Sequence, residues 1–288
     1  MLINEIRKEL ALLSEVAPLE GQRYAACLHT YEAASNQREL ILKWFADHVI
    51  PELSTDSASL LSVGCGAGDL DVEILTAGRK HAAAISYVGL EPDPDQCEKF
   101  VLRMQQPGDD TIQVEAHNTR FELFTEQRRF DVVIMVHSLY YMDNPEESIA
   151  SALELLKEGG KLVLLIASND KLNELSSSFW ALENSGSTWF SEDLSGHLTA
   201  RGLTFQRERI KATLDISSCL EPGSEQGQRI ADFVAQVPTS QLPVRLRNMI
   251  FSYLESTAQR DGDVHWLPHN VDAFTIVNEQ SLAPAAVA

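Results

Sequence analysis

Residues 59–168 predict an α/β fold built on a doubly wound, mostly parallel sheet. Short runs that are apolar throughout recur between helical segments, as strands buried on both faces require. A glycine cluster, Gly64-Cys65-Gly66-Ala67-Gly68, stands directly between the first such run and a helix. Two late strand-like stretches, 204–214 and 273–277, extend five core strands to a seven-stranded sheet.

The elements follow in order. Leu40, Ile41, Trp44, Phe45, Val49 and Ile50 recur at helical spacing, and Pro51 stops the run. A polar linker covers 54–59. The first strand is 59–63 (SLLSV), and the helix after the glycines is 69–77. The second strand, 87–90 (YVGL), ends at Glu91-Pro92, and 94–104 is helical. A weaker third strand spans 112–116, and a strong fourth, 130–136 (FDVVIMV), ends at His137-Ser138. The helix 145–157 has Pro in its first turn and Gly159-Gly160 after its end. The fifth strand is 161–167 (KLVLLIA). Beyond it, 172–182, 191–201, 226–237 and 242–258 read as helices, and the tail LAPAAVA reads as disordered. Three segments result: N-terminal helices (1–53), a ligand-binding core (54–170), and the rest of the sheet (171–288) with a helical insertion forming a cap over the strands' carboxyl ends.

The chain has 288 residues, with 23 Lys and Arg against 42 Asp and Glu, a net charge of −19. Such a surface repels phosphate backbones and anionic bilayers, so neither nucleic acid nor membrane is an expected partner. No apolar run approaches the roughly 20 residues of a membrane span. The charges within MLINEIRKELALLSEV speak against a signal peptide. Cys27, Cys65, Cys97 and Cys219 form no CxxC and read as reduced thiols of a cytoplasmic protein. HExxH, paired-cysteine, GxxxxGK[ST] and GxSxG patterns are missing, so no metal site is expected. A small-molecule substrate remains, with no signal for an oligomeric state.

The glycine spacing is GxGxG, not the GxGxxG of a dinucleotide loop. Asp69 and Asp71 put negative charge where a pyrophosphate would lie, which favours a cationic or zwitterionic ligand. Glu91, ending the second strand, is placed to accept hydrogen bonds from ribose hydroxyls.

The stretches LSVGCGAGDLDVEIL, GLEPDPDQ, FDVVIMVHSLYYMDNPEES, LDISSCLEPGSEQG and HNVDAFTIVNE resemble class I S-adenosylmethionine (SAM)-dependent methyltransferases, histamine N-methyltransferase and its relatives in particular. The likeness runs from about Tyr24 to Glu279. It implies a Rossmann-like core and SAM as cofactor. Gly64, Cys65, Gly66 and Gly68 would hold its methionine part and Glu91 its ribose. Gln96 would lie near the cofactor, Thr119 on the adenine side, and Val136 and His137 beneath it. On the acceptor side, the family's glutamate falls near Gln37 or Arg38 and its glutamine on His137, which implies an acceptor other than histamine. Tyr140, Tyr141 and Asn270 match the family, and Trp180 and Trp189 supply further rings.

An amine attacks only when neutral, so a base or water must take its proton. His137 is the candidate for that base or for a hydrogen-bonding partner, with Tyr140 and Asn270 beside it as catalytic candidates. Three readings follow: N-methylation of a small amine or amino-acid-like molecule, intramolecular cyclisation of SAM releasing methylthioadenosine, and SAM binding without turnover.

Overall fold

A computed structural model describes residues 2–13, 16–105, 109–183 and 189–279, without the side chains of 181–183; the expected disordered tail lies outside them. The sheet takes β1 (Ser57–Val63), β2 (Ala84–Leu90), β3 (Ile112–His117), β4 (Phe130–Val136), β5 (Leu156–Ala167), β6 (Gln206–Ile210) and β10 (Val271–Val277). A smaller sheet takes β7 (Thr213–Asp215), β8 (Gln259–Asp261) and β9 (Val264–Pro268). The N-terminal helices are α1 (Leu2–Leu10), α2 (Gly21–Ala33) and α3 (Gln37–His48). Those of the sheet crossovers are α4 (Asp71–Gly78), α5 (Pro94–Met104) and α6 (Pro145–Glu154). The remainder are α7 (Lys171–Glu183), α8 (Ser191–Ala200), α9 (Glu225–Ala235) and α10 (Val244–Thr257).

The large sheet has the order β3-β2-β1-β4-β5-β10-β6. Parallel registers join β1 to β2 and β4, β2 to β3, and β4 to β5. Gly159 and Gly160 bond to Asn278 at one end and Ser168 to Asn270 at the other, so β10 runs antiparallel to β5. The uniformly apolar strands explain the double winding. Leu60, Leu61, Val88, Val133 and Val163 are all buried, and each such side chain removed from water contributes about 1.5–3 kcal/mol.

The chain divides into two compact units. The first comprises Met1–Leu40, Ala167–Glu192 and Ile210–Val271; the second comprises Ile41–Ile166, Asp193–Arg209 and Asp272–Ala288. These interleave along the chain, unlike the three consecutive segments drawn from the sequence. In the first unit α2 packs on α9, α1 on α10 and α7 on α9, around Ile6, Leu10, Leu175, Phe179, Ile230 and Leu254. The second unit holds the large sheet and its crossover helices.

Three local expectations change. The helix expected over 145–157 ends at Glu154, and β5 begins at Leu156 and includes Gly159-Gly160. The glycines belong to a strand because ladder bonds outweigh their helix-stopping tendency: Gly159 N donates to Asn278 O at 3.0 Å and Asn278 N to Gly160 O at 2.9 Å. The stretch 204–214 is not one strand but two, β6 and β7, in different sheets. The break follows Ile210, where Ala212 O accepts from His269 N. The hairpin β8–β9 was not expected. Its signal was Asp261-Gly262, with Gly262 at φ 60°. No helix among the described residues is long and apolar enough to cross a membrane.

Candidate active site

The glycine loop begins as β1 ends. Gly64 N and Cys65 N both donate to Leu90 O, at 2.8 and 3.1 Å, which ties the loop to the end of β2. Gly64, Gly66 and Gly68 have φ of 70°, 54° and 77°, a region that costs other residues strain. Their surroundings differ. A Cβ on Gly64 would stand 2.6 Å from the Ser138 Cβ, and one on Gly68 would stand 2.8 Å from the Phe100 ring. One on Gly66 would meet nothing within 4 Å. The protein's own packing therefore demands Gly64 and Gly68, whereas Gly66 faces open space. Cys65 turns its thiol inward, 2.9 Å from where a Gly89 Cβ would lie, and burial pushes that thiol's pKa up. It stays protonated at neutral pH and is no nucleophile.

Glu91 bridges the loop and the next helix. Its Oε2 accepts from Gly66 N and its Oε1 from Asp93 N, each at 2.9 Å. A carboxylate has about four lone-pair sites, so both oxygens retain capacity for hydroxyl donors. Gln96 lies in the first turn of α5, its N–H donating to Asp93 Oδ1 at 3.0 Å. Asn118 Nδ2 donates to Glu91 O and Pro92 O, at 3.0 and 2.9 Å. Thr119 follows, with its N–H on His117 O at 2.9 Å.

The two aspartates after the loop, expected to put charge beside a ligand, both have partners within the protein. Asp71 is 4% exposed and accepts from Tyr87 Oη at 2.8 Å and from Ser62, so it points toward β1 and β2. Burial pushes its carboxyl up to about 6. Asp69 forms an ion pair with Arg103 at 3.1 Å. Helical periodicity placed both near the loop but could not say which way each would turn.

β4 ends at Val136, and His137 follows with φ 52° and its N–H on Leu165 O at 2.9 Å. Its Nδ1 lies 3.2 Å from Tyr140 Oη, and the two rings stack at 6.0 Å. Burial pushes the imidazole down to about 4, so it is neutral at pH 7. Tyr141 is 66% exposed. Ser138 is 5% exposed. Its Oγ and His117 Nε2 are the buried side-chain atoms without a hydrogen-bond partner among the described residues. His117 ends β3, and Ser138 lies two residues past β4. Ligands of open α/β sheets bind at such strand ends, and each unpaired buried polar atom costs about 1–3 kcal/mol. The open space at Gly66, the Glu91 carboxylate and the orphaned Ser138 hydroxyl together fit a ligand that carries hydroxyls and a charged polar end.

The expected acceptor residues of the first unit have their own arrangement. Gln37 is buried at the start of α3, and its Nε2 donates to His269 O at 2.7 Å. Arg38 pairs instead with Glu32 at 2.7 Å. The His269 ring lies between Tyr31 Oη, 2.8 Å from Nε2, and Ser35 Oγ, 2.7 Å from Nδ1. Asn270 comes next, its carbonyl accepting from Ser168 N at 3.5 Å and its N–H donating to the Asp170 carboxylate. Burial pushes Asp170 up to about 6. Gln37 and Asn270 are thus joined through His269, a residue that no motif or spacing singled out; the Tyr31 and Ser35 hydroxyls that clamp it gave no pattern to read. Trp180 is half-buried beside buried Phe179, and Trp189 is half-buried beside buried Phe190. A cavity of about 650 Å³ in this unit is walled by Ser35, Asp215, Ser217, Glu221 and Trp266 among others, and none of the expected acceptor residues lines it.

Comparison with known proteins agrees with this architecture. A family described as a methyltransferase domain matches residues 29–208. Histamine N-methyltransferase of Danio rerio is 23% identical over 213 residues, covering 68% of this chain and 73% of that protein. The Bos taurus enzyme of the same name is 25% identical over 237 residues, covering 75% and 81%. Among solved structures, the plantazolicin methyltransferase BpumL in complex with SAH superposes with a TM-score of 0.52 at 13% identity, covering 96% of this chain and 97% of that one. That likeness shows the fold. Because the family match spans more than half of the chain and meets the glycine loop, Glu91 and the seven-stranded sheet, the chain belongs to the class I SAM-dependent methyltransferases.

Proposed function

We propose that this methyltransferase acts on the nitrogen of a small amine or amino-acid-like molecule other than histamine. The observation that carries the reading is that neutral side chains stand at two positions where the family's acceptor residues fall. A buried amide, Gln37, sits on His269 O, and His137 is held uncharged. The likeness to histamine N-methyltransferases over 68–75% of the chain supports the reaction class. Neutral groups in place of a glutamate support a different acceptor, one that need not be paired as a full cation.

SAM supplies a methyl group already activated on a sulfonium. The open backbone at Gly66 and the remaining acceptor capacity of the Glu91 carboxylate would hold and orient the cofactor. His137 and Tyr140, whose Nδ1 and Oη lie 3.2 Å apart, would orient the acceptor nitrogen for in-line attack, which lowers the barrier by prepaid alignment. An imidazole near 4 takes no proton at pH 7, so His137 accepts a hydrogen bond from the amine while the proton itself leaves to water.

The test is incubation with SAM and a panel of biogenic amines and amino acids, histamine included, followed by mass spectrometry. S-adenosylhomocysteine together with an N-methylated product, only when a non-histamine amine is present, is the expected result. Methylthioadenosine from SAM alone would replace the proposal with cyclisation, and binding without either product would replace it with a non-catalytic role.

A further inference from the structure

We propose that the Ser138 hydroxyl is a cofactor-binding group, reserved for the amino-acid end of SAM. The inference rests on the cofactor assignment and goes beyond it to a residue that neither motif nor spacing singled out.

Ser138 Oγ is sealed from solvent and has no hydrogen-bond partner among the described residues. A buried hydroxyl in that state destabilises the protein that holds it, so its retention asks for a partner that arrives later. Its place says which partner. The hydroxyl lies 3.5 Å from the point where a Cβ on Gly64 would stand, against the first glycine of the loop. In the sheet, β1 lies between β2 and β4. Glu91 follows β2 and Ser138 follows β4, so the two residues flank the loop from opposite sides. A cofactor with its ribose on Glu91 and its chain across the open space at Gly66 brings its other end toward Ser138. That end carries an ammonium and a carboxylate. A serine hydroxyl can accept from the first and donate to the second, and one χ1 rotation among staggered positions redirects it.

Isothermal titration calorimetry on Ser138→Ala and Ser138→Cys tests this, with S-adenosylhomocysteine and methylthioadenosine as ligands. The second ligand lacks the amino-acid end. The expected result is a loss of about tenfold or more in affinity for S-adenosylhomocysteine, the worth of one charge-assisted hydrogen bond. Methylthioadenosine affinity should stay unchanged, and the ligand-free melting temperature of Ser138→Ala should not fall. The Cys variant keeps the side chain's shape with a much weaker hydrogen-bonding group, so it should show the same selective loss if the Ala variant does not fold. Unchanged affinity for S-adenosylhomocysteine would overturn the inference, and so would equal losses for both ligands. A wild-type protein that binds neither ligand would overturn the cofactor assignment itself, which separates the two failures.

Discussion

Burial holds the His137 imidazole at about 4, so at pH 7 a proton offered to it stays on the donor. A general base typically contributes 10²–10⁴-fold, and this residue should contribute far less in that role. His137→Gln, which keeps a neutral hydrogen-bonding group, is expected to retain turnover within about tenfold, while His137→Ala loses more in kcat than in SAM affinity. The kcat–pH profile should lack a limb near about 6.5 that disappears in the Gln variant; finding one would restore the base. At Glu91 each carboxylate oxygen accepts a backbone N–H, one from Gly66 and one from Asp93. Glu91→Gln keeps only one good acceptor, so SAM affinity measured by calorimetry should fall about tenfold. An unchanged affinity would remove Glu91 from the cofactor site. Glu91 was legible in the sequence because an acid ending a strand is a local pattern. The neutral state of His137 and the orphaned Ser138 were not, because both arise from what packs around them.

Among the elements, the loop after β1 and the segment after β4 depend on each other. A Cβ on Gly64 would overlap the Ser138 Cβ, and Gly64 also has φ 70°. Gly64→Ala should therefore cost about 2–4 kcal/mol, combining left-handed strain with overpacking. Adding Ser138→Gly should recover part of that loss, with a coupling of about 0.5–3 kcal/mol in urea unfolding. Simple additivity would mean that the two segments do not meet as described. Gly66→Arg meets open space and should cost only the left-handed strain of about 1–2 kcal/mol, but abolish SAM binding; full affinity would place the cofactor elsewhere. The glycine loop and β4 were readable as strand, turn and helix from apolar runs of consecutive residues. The β5 start, the β6–β7 break and the β8–β9 hairpin were not, because their ladder partners lie far away in sequence.

For the whole molecule, two groups shifted by desolvation titrate in opposite senses. Asp71 is near 6 when folded and about 3.9 when unfolded, so the folded chain binds more protons between those values. Its charge destabilises the protein above about pH 6, and the penalty fades as pH falls toward about 4. His137 is near 4 when folded and about 6.5 when unfolded, so its contribution is lost as pH falls through much of the same window. Asp71→Asn, which keeps an acceptor for Tyr87 Oη, should raise stability at neutral pH by about 2 kcal/mol, an advantage that vanishes near about pH 4. Denaturant unfolding across that range checks the sign, and a variant less stable at neutral pH would contradict it. The net charge of −19 bears on this scale as well, but Asp71 and Asp69 are spent within the protein, on Tyr87 and Arg103. Of the carboxylates expected to face the cofactor, Glu91 remains.

The sequence by itself determined the sheet's central strands, the glycine loop that follows the first of them, and the cofactor class. Each is written in apolar runs and turn residues only a few positions apart, whose backbone preferences act locally. Tertiary structure decided which glycine faces open space, which aspartate is buried, that burial lowers the His137 pKa, and that Gln37 and Asn270 meet through His269. These depend on burial and on contacts between segments far apart in the chain, where desolvation and close packing, rather than local preference, set the chemistry of each side chain.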